Sequence, residues 1–180
     1  MQTAYESQRE VEKLYRAKAE IEYQALVDQV NPHYLFNNLS VLKSLIMYDK
    51  DKAVQFVQNF TDIYRYVLQV KNRILVPFSE ELTFVKSYIA LHKERLGDGF
   101  SAKFDVQECA LSKSIVPIGL QILVENALKH NIATKSEPLT IEIIADAERV
   151  TVKNNLNRKE AVFSTRKGLR NIIDRYKMLS

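Results

Sequence analysis

The sequence has 180 residues, and its 46% hydrophobic and 27% charged content is ordinary for a globular protein of one large or two small domains. A single cysteine, Cys109, excludes an internal disulfide framework and fits a reducing compartment. No apolar run approaches the about 20 residues that span a bilayer, so we expect the chain to be soluble.

The net charge is +4, which is a mild and dispersed excess except near the C-terminus. A nucleic-acid-binding protein usually concentrates its positive charge more strongly and interleaves it with exposed aromatic side chains. We therefore expect no nucleic-acid partner, although a local basic cluster could receive phosphates. That cluster comprises Arg166, Lys167, Arg170, Arg175 and Lys177.

Residues 5–30 contain no glycine or proline, which favours one long helix. Four of its residues fit the a and d positions of a heptad repeat, namely Val11, Leu14, Ile21 and Ala25. Lys18 and Asp28 interrupt this seam. The pattern predicts a helix paired with its copy in a second chain, and a lone surface helix remains the alternative.

Two further amphipathic helices are predicted between Pro32 and about Leu68, separated by a turn at residues 48–51. The first carries an apolar stripe of Leu35, Leu39, Leu42 and Ile46. The second has Val57, Phe60, Tyr64 and Val67 on one face. Two such helices with a short connection form a hairpin, and two hairpins from two chains form a four-helix bundle.

From Pro77 onward the pattern mixes helices and strands. A helix with Ser79 as its N-cap and Leu82, Val85 and Ile89 inside is followed by an alternating strand at residues 100–106. Pro117 opens an almost wholly apolar helix that runs to about His130; strands at 139–145 and 149–153 and a helix after Gly168 follow. The second half is therefore predicted to be α+β, with helices covering one face of a small sheet.

At about 100° per helical residue, His33 lies opposite the apolar stripe of the first hairpin helix and shares its exposed face with Asn37. Neutral imidazole is a usable nucleophile near pH 7, because the unperturbed group titrates near pH ~6.5. Exposure makes His33 available to a phosphoryl donor, but most surface histidines have no catalytic role. The spacing alone therefore assigns no function.

The string QVNPHYLFNNL at residues 29–39 resembles the histidine box of the LytS-like sensor histidine kinases, usually written QxNPHFLFNxLN. Tyr34 replaces the usual Phe, and Ser40 stands where the final Asn is common. The resemblance implies a homodimeric two-component kinase that autophosphorylates His33 and passes the phosphoryl group to an aspartate in the receiver domain of a response regulator. It also implies a cytoplasmic location, as part of a bacterial inner-membrane protein whose membrane region lies upstream of this sequence.

Many histidine kinases carry an acidic residue directly after the histidine, and Tyr34 cannot orient the imidazole in that way. A carboxylate from the second half could supply this orientation, or the reaction could proceed with weaker assistance. Asn37 could position a water that hydrolyses the phosphorylated partner, or it could be an ordinary amide on the helix surface.

Polar residues are grouped at the end of the apolar helix, where Asn126 and His130, like Glu125 and Lys129, are four positions apart. The spacing fits a site at the boundary of the core or a solvent-exposed last turn. The string LVENALKH at residues 123–130 resembles the N box of the Bergerat-type ATPase fold. This resemblance implies ATP and Mg²⁺ as cofactors, Mg²⁺ on Asn126, nucleotide contacts from Lys129 and His130, and Glu125 as base or imidazole-orienting carboxylate.

The glycine boxes of that fold are only partly present. The family's Asp-x-Gly-x-Gly position holds VTVKNNL at residues 150–156, so Asn154 or Asn155 is expected to take the place of the adenine-binding Asp. The segment through Thr165 would be a mobile lid, and the string RKGLRNIIDRY at 166–176 resembles the second glycine box with Gly168 as its remaining glycine. A glycine at a helix start leaves N–H groups available to phosphate.

Three domains are predicted, namely a linker or coiled-coil helix at residues 1–30, a dimerisation and phosphotransfer hairpin at 31–75, and an ATP-binding domain at 76–180. The usual last strand of that domain is absent, so we expect this sequence to be a piece of a longer protein. The leading interpretation is an ATP-dependent protein-histidine kinase. The alternative is a degenerate member that acts as a dimeric, non-catalytic module binding a partner or nucleotide.

Overall fold

The computed structural model describes residues 32–159 and 167–179, and the chain divides into two compact units at residues 1–49 and 50–180. In the first unit, helix α1 spans Pro32–Tyr48, beginning at the proline as predicted. Leu39 and Ile46 of the predicted stripe are 47% and 53% exposed, whereas Asn38 is buried. The helix predicted at residues 5–30 lies outside the described residues.

The second unit begins with helix α2, Lys50–Gln69, which packs against helix α3, Phe78–Leu96. Strands β1 (Val76–Pro77) and β3 (Ser114–Ile115) have two residues each and pair with each other. In the sequence, β1 precedes α3 and β3 follows it. The remaining elements are strand β2 (Phe100–Val106), helix α4 (Gly119–His130), strands β4 (Leu139–Ala145) and β5 (Val150–Asn154), and helix α5 (Lys167–Lys177). Within residues 32–159 and 167–179, no helix combines the length and apolar character needed to cross a bilayer.

Strands β2, β4 and β5 form a mixed sheet in which the central β4 runs parallel to β2 and antiparallel to β5. Alternate residues of β4 are buried, as expected for a strand with one face on the core. Helices α3 and α4 contact this sheet, and the buried side chains of the two helices and the sheet are mainly Leu, Ile, Val and Phe. The predicted α+β class is confirmed.

Burial along α2 follows a different stripe from the one the sequence indicated. The buried residues are Ala53, Phe56, Ile63 and Tyr66, while Val57 is 46% exposed. Helix α2 has apolar residues on two neighbouring faces, so periodicity alone does not select the face that is covered. Its contact with α3 lies within the second unit, which begins at Lys50.

The start of α3 corrects the predicted Ser79 cap. The helix begins at Phe78, and no side chain caps it. Instead, the backbone N–H of Phe78 donates to the carbonyl of Lys113 at 2.7 Å, and that of Ser79 donates to the carbonyl of Leu111 at 3.0 Å. A distant loop thus satisfies N–H groups that have no partner inside the helix.

Candidate functional site

Helix α4 carries the predicted polar group at its C-terminal end. Glu125 and Lys129 are exposed, and Asn126 and His130 are partly buried. The Glu125 carboxylate accepts a hydrogen bond from Gln121 Nε2 at 2.7 Å, one turn earlier on the same helix. An exposed carboxylate and an exposed ammonium group therefore flank a partly buried amide and imidazole.

Asn126 has an unsatisfied amide in the described part of the chain. Its Nδ2 atom is buried and has no hydrogen-bond partner there. A buried donor without a partner costs about 1–3 kcal/mol, which a bound ligand can offset. Since the two ends of a carboxamide have nearly the same shape, a 180° rotation presents Oδ1 at the same place. The side chain therefore fits a polar ligand, including a cation that takes oxygen ligands such as Mg²⁺.

The C-terminal end of α4 is tied to residues 157–159 by contacts that sequence reasoning missed. The buried Asn131 donates from Nδ2 to the Ala127 carbonyl at 2.8 Å and accepts from the Asn157 N–H at 3.0 Å. Lys159 Nζ donates to the Leu128 carbonyl at 3.0 Å, and the Lys159 N–H donates to the His130 carbonyl at 3.0 Å. These bonds fill acceptors that a helix end leaves open.

Positive charge also gathers beside this helix end. Partial burial lowers the pKa of Lys159, and the positive charge of Arg95 on α3 lowers it further. Arg95 itself contacts His92 Nδ1 through Nη2 at 3.0 Å. Lys129, Lys159 and Arg95 together give the region a field that attracts anions.

The two asparagines at the end of β5 have different surroundings. Asn154 pairs with Ile141 of β4, so both side chains start from the core face of the sheet, which α4 contacts. Asn155 lies one position further and uses its whole amide on the backbone. Its Oδ1 accepts from the Thr140 N–H at 2.7 Å, and its Nδ2 donates to the Pro138 carbonyl at 2.9 Å.

Gly168, the second residue of α5, lies close to α4. A Cβ atom built on this glycine would be 3.1 Å from Ile122 Cγ2. The glycine therefore permits close packing of α5 against α4, in addition to any role at the helix start. Helix α5 is further attached through Arg175, whose Nη1 donates to the Pro117 carbonyl at 3.4 Å.

His33 and Asn37 belong to α1, in the first unit. The structure places the His33 backbone in the first helical turn, but the His33 side chain lies outside the described residues. The Asn37 side chain is partly buried and has an interaction partner. The structure thus groups Glu125, Asn126, Lys129 and His130 on α4, in the second unit.

A cleft of about 460 Å³ lies at the other end of α4. Its walls include Gly119, Leu120 and Leu123 of α4, the β4–β5 turn at 146–149, and Ile172 of α5. None of the predicted site residues lines this cleft. The polar end of α4 remains the better candidate, because it combines an unsatisfied amide with positive charge.

Helix α4 is also held at its N-terminus, by the buried Glu81 of α3. Glu81 accepts the N–H groups of Ile118 at 2.9 Å and Leu120 at 3.0 Å, and the hydroxyl of Tyr66 at 2.6 Å. Burial raises the pKa of the Glu81 carboxyl, whereas these hydrogen bonds lower it. The contact was not predicted, because the sequence pattern gives no sign that a first-turn Glu would be buried.

The comparison with protein families agrees with the histidine box. The histidine kinase family model matches residues 21–100, which include all of α1, α2 and α3. This region contains His33 and Asn37 but not the polar end of α4.

Individual relatives extend the similarity. The chain is 32% identical over 130 residues to Sensor protein LytS of Enterococcus faecalis, which is 72% of this chain and 22% of that protein. It is 31% identical over 134 residues to Sensor protein LytS of Bacillus subtilis, with 73% and 23% covered. Sensor histidine kinase YpdA of Escherichia coli is 34% identical over 121 residues, with 67% and 21% covered.

The aligned segment thus spans less than a quarter of each of these relatives. Several independent matches nevertheless carry the same kind of name, and they cover about seven tenths of this chain. The string QVNPHYLFNNL around His33 and the match of the family model point to the same group of proteins. The chain belongs to the LytS-like sensor histidine kinases.

Proposed function

We propose that this chain is the cytoplasmic catalytic part of a two-component sensor kinase, acting as a homodimer. In this proposal the second unit binds ATP with Mg²⁺ and the γ-phosphoryl group is transferred to His33. The P–O bond to ADP breaks, an N–P bond forms at the imidazole, and the imidazole proton is released. An aspartate of a response regulator then accepts the phosphoryl group. The unsatisfied Asn126 amide at the polar end of α4 is the observation that carries the nucleotide site.

Phosphoryl transfer depends mainly on placement and on neutralising charge around the phosphorus. Asn126 is suited to hold Mg²⁺ through Oδ1, since this ion keeps several waters and takes few protein ligands. When bound there, Mg²⁺ would supply positive charge that offsets the charge of the phosphates. Lys129 offers an exposed ammonium group to the phosphates, and His130 lies one position further. Glu125, exposed on the neighbouring face, is the proposed base or orienting carboxylate for His33.

At the adenine end we assign Asn154 in preference to Asn155. Asn154 starts from the sheet face that α4 contacts, and its Nδ2 donates to the Asn155 carbonyl at 2.6 Å. Its Oδ1 makes no hydrogen bond with the described residues, so this atom can accept one from an adenine amino group. Gly168 is proposed to open α5 close to the phosphates, although its packing on Ile122 is sufficient to explain a glycine there.

The test is incubation of the chain with labelled ATP and Mg²⁺. Wild type should acquire an acid-labile, base-stable label, and His33→Gln should acquire none while retaining its affinity for ATP. Equal labelling of His33→Gln would refute the assignment of the acceptor.

The proposed role of Asn126 in binding Mg²⁺ needs a separate variant, because Asn126 lies in the second unit and His33 in the first. Asn126→Asp keeps the size of the side chain but changes its charge and hydrogen bonding, so labelling should fall sharply. Asn59→Asp on α2 is the matched control and should label like wild type. Normal labelling by Asn126→Asp would contradict the magnesium assignment.

A degenerate, non-catalytic module is the second candidate, and the surroundings of Asn155 favour it. The strand end holds Asn154, Asn155 and Leu156 where the family has an acid and glycines, and Asn155 is committed to the backbone. Calorimetric titration with ATP and Mg²⁺ separates the two candidates. We expect weak, magnesium-dependent binding, whereas no binding at millimolar nucleotide would favour the second candidate.

A further inference from the structure

Three helices meet at the carboxylate of Glu81. This residue lies in the first turn of α3 and is 0% exposed. One carboxylate oxygen, Oε2, accepts from the Tyr66 hydroxyl of α2 at 2.6 Å and from the Ile118 N–H at 2.9 Å. The other, Oε1, accepts from the Leu120 N–H of α4 at 3.0 Å. The carboxylate therefore bonds to α2 and to the start of α4 simultaneously.

The start of α4 depends on this carboxylate. Helix α4 has no side-chain cap of its own, and Ile118, which precedes it, has φ of 66° in the left-handed region. A β-branched residue rarely adopts that conformation, so surrounding contacts must hold it. Glu81 accepts two of the N–H groups at the helix start, where the helix dipole favours a negative charge. Glu81 therefore fixes both the position and the direction of the helix start.

Tyr66 extends this contact to α2. Its ring stacks on Phe84 of α3 with centroids 4.4 Å apart, and the whole side chain is 9% exposed. The outer side of α2 is uncovered, with Val54 71% and Leu68 62% exposed. One side of α2 is thus connected to α4 through a hydroxyl and a carboxylate, and apolar side chains are exposed on its other side.

We propose that Tyr66 and Glu81 couple the position of α2 to the position of α4, with Glu81 acting as a positioning residue for the nucleotide site. This rests on the proposed function, in which α2 belongs to the dimerisation hairpin and α4 carries Asn126 and Lys129. A rotation or axial shift of α2 moves the Tyr66 hydroxyl. Glu81 must then follow it, pulling on Ile118 and Leu120, or lose a hydrogen bond in a buried site. Because α4 is one rigid helix, movement at Gly119 reaches Asn126, about 10 Å further along the axis.

Tyr66→Phe tests the coupling, because it removes the hydroxyl and keeps the ring that stacks on Phe84. Tyr64→Phe is the matched control, since it makes the same change on the same helix at a ring that packs on Phe60 at 4.7 Å. Amide hydrogen exchange is measured by mass spectrometry without nucleotide. Peptides covering residues 116–122 should exchange about tenfold faster in Tyr66→Phe, as expected for the loss of one buried hydrogen bond. Exchange equal to that of wild type or of Tyr64→Phe would overturn the proposal.

A second measurement adds ATP with Mg²⁺ and tests the coupling in the opposite direction, since linkage is reciprocal. In wild type, nucleotide should slow exchange at residues 126–130 and also at 62–70. In Tyr66→Phe the effect at 126–130 should remain and that at 62–70 should disappear. Retained protection at 62–70 in the variant would refute the coupling. If wild type shows no nucleotide effect at all, the proposed function fails, and the measurement without nucleotide still decides the coupling.

Discussion

Asn154 and Asn155 are neighbours with opposite expected roles. Removing the Asn155 amide leaves the Thr140 N–H and the Pro138 carbonyl without their partner, so Asn155→Ala should lower the free energy of unfolding by about 1–2 kcal/mol. Asn154→Ala should change stability little and weaken ATP binding. Urea denaturation and calorimetric titration of both variants check this prediction. A stability loss confined to Asn154→Ala would reverse the two assignments.

His92 provides a prediction about pH. Burial, and to a smaller extent the positive charge of Arg95, lowers the pKa of His92 to about 3. The unfolded chain therefore binds a proton at His92 near pH ~6.5, whereas the folded chain does not. The stability associated with neutral His92 is consequently lost as the pH falls below about 6.5. His92→Gln does not titrate and keeps an acceptor for Arg95.

The measurement is urea denaturation of wild type and His92→Gln between pH 7 and 4. As the pH falls, the unfolding free energy of wild type should decrease relative to that of His92→Gln, by up to about 1.4 kcal/mol per pH unit. Carboxylates common to both proteins cancel in this difference. Parallel stability curves would contradict the assignment of this pH dependence to His92.

The polar group on α4 could be predicted because its members lie within six consecutive residues, and pairs three to five residues apart share one side of a helix. The hydrogen-bond partners of Glu81 and Asn131 could not be predicted from the sequence. Ile118 is 37 residues from Glu81, and Asn157 is 26 residues from Asn131. Such contacts depend on how the elements pack, and a single sequence gives no signal for them. Glu81 even fits the pattern of an exposed acid in the first turn of a helix.

At the scale of elements, the strongly periodic segments were predicted well. The alternation in residues 139–145 corresponds to β4, and the apolar helix ending at His130 corresponds to α4. The boundaries were less accurate, because α4 begins at Gly119 after a left-handed Ile118 rather than at Pro117. The Ser79 cap was wrong for a related reason, namely that loop carbonyls at Leu111 and Lys113 already satisfy the start of α3.

The end of α4 yields a prediction about an element. We expect Lys159 to fix residues 157–159 to the last turn of α4, through its bonds to the Leu128 and Lys129 carbonyls. Lys159→Met keeps the aliphatic stem but removes these bonds and the favourable charge at the helix C-terminus. Hydrogen exchange at residues 128–131 should accelerate several-fold, and ATP affinity should fall. Lys153→Met, an exposed lysine on β5, is the control and should change neither.

At the scale of the whole molecule, apolar side chains on both predicted hairpin helices remain exposed in a single chain. On α1 these include Phe36 at 67% and Ile46 at 53%, and on α2 they include Val54 at 71%. Such residues on amphipathic helices are typical of an interaction surface. A homodimer that buries them in a four-helix bundle is the assembly we propose, and the sequence predicted it from the apolar faces of both hairpin helices, at residues 35–46 and 57–67.

Dimerisation is therefore expected to depend on the stripe of α1 more than on residues 1–20. Replacing Leu39 and Ile46 together by Glu places two charges on the surface that would become buried, where unpaired charges are strongly unfavourable. Sedimentation at micromolar concentration should show a dimer for wild type and a monomer for Leu39→Glu/Ile46→Glu. Ser44→Glu, an exposed position on the same helix, is the control and should remain dimeric.

Deletion of residues 1–20 completes this test, because it removes part of the predicted coiled-coil helix and leaves the α1 stripe intact. The truncated chain should dimerise more weakly than wild type but should still be dimeric at higher protein concentration. A truncated chain that is wholly monomeric, together with a dimeric Leu39→Glu/Ile46→Glu variant, would transfer the dimer interface from α1 to the N-terminal segment. In that case α2 would lose its proposed place in the interface, and the uncovered Val54 and Leu68 would need another partner.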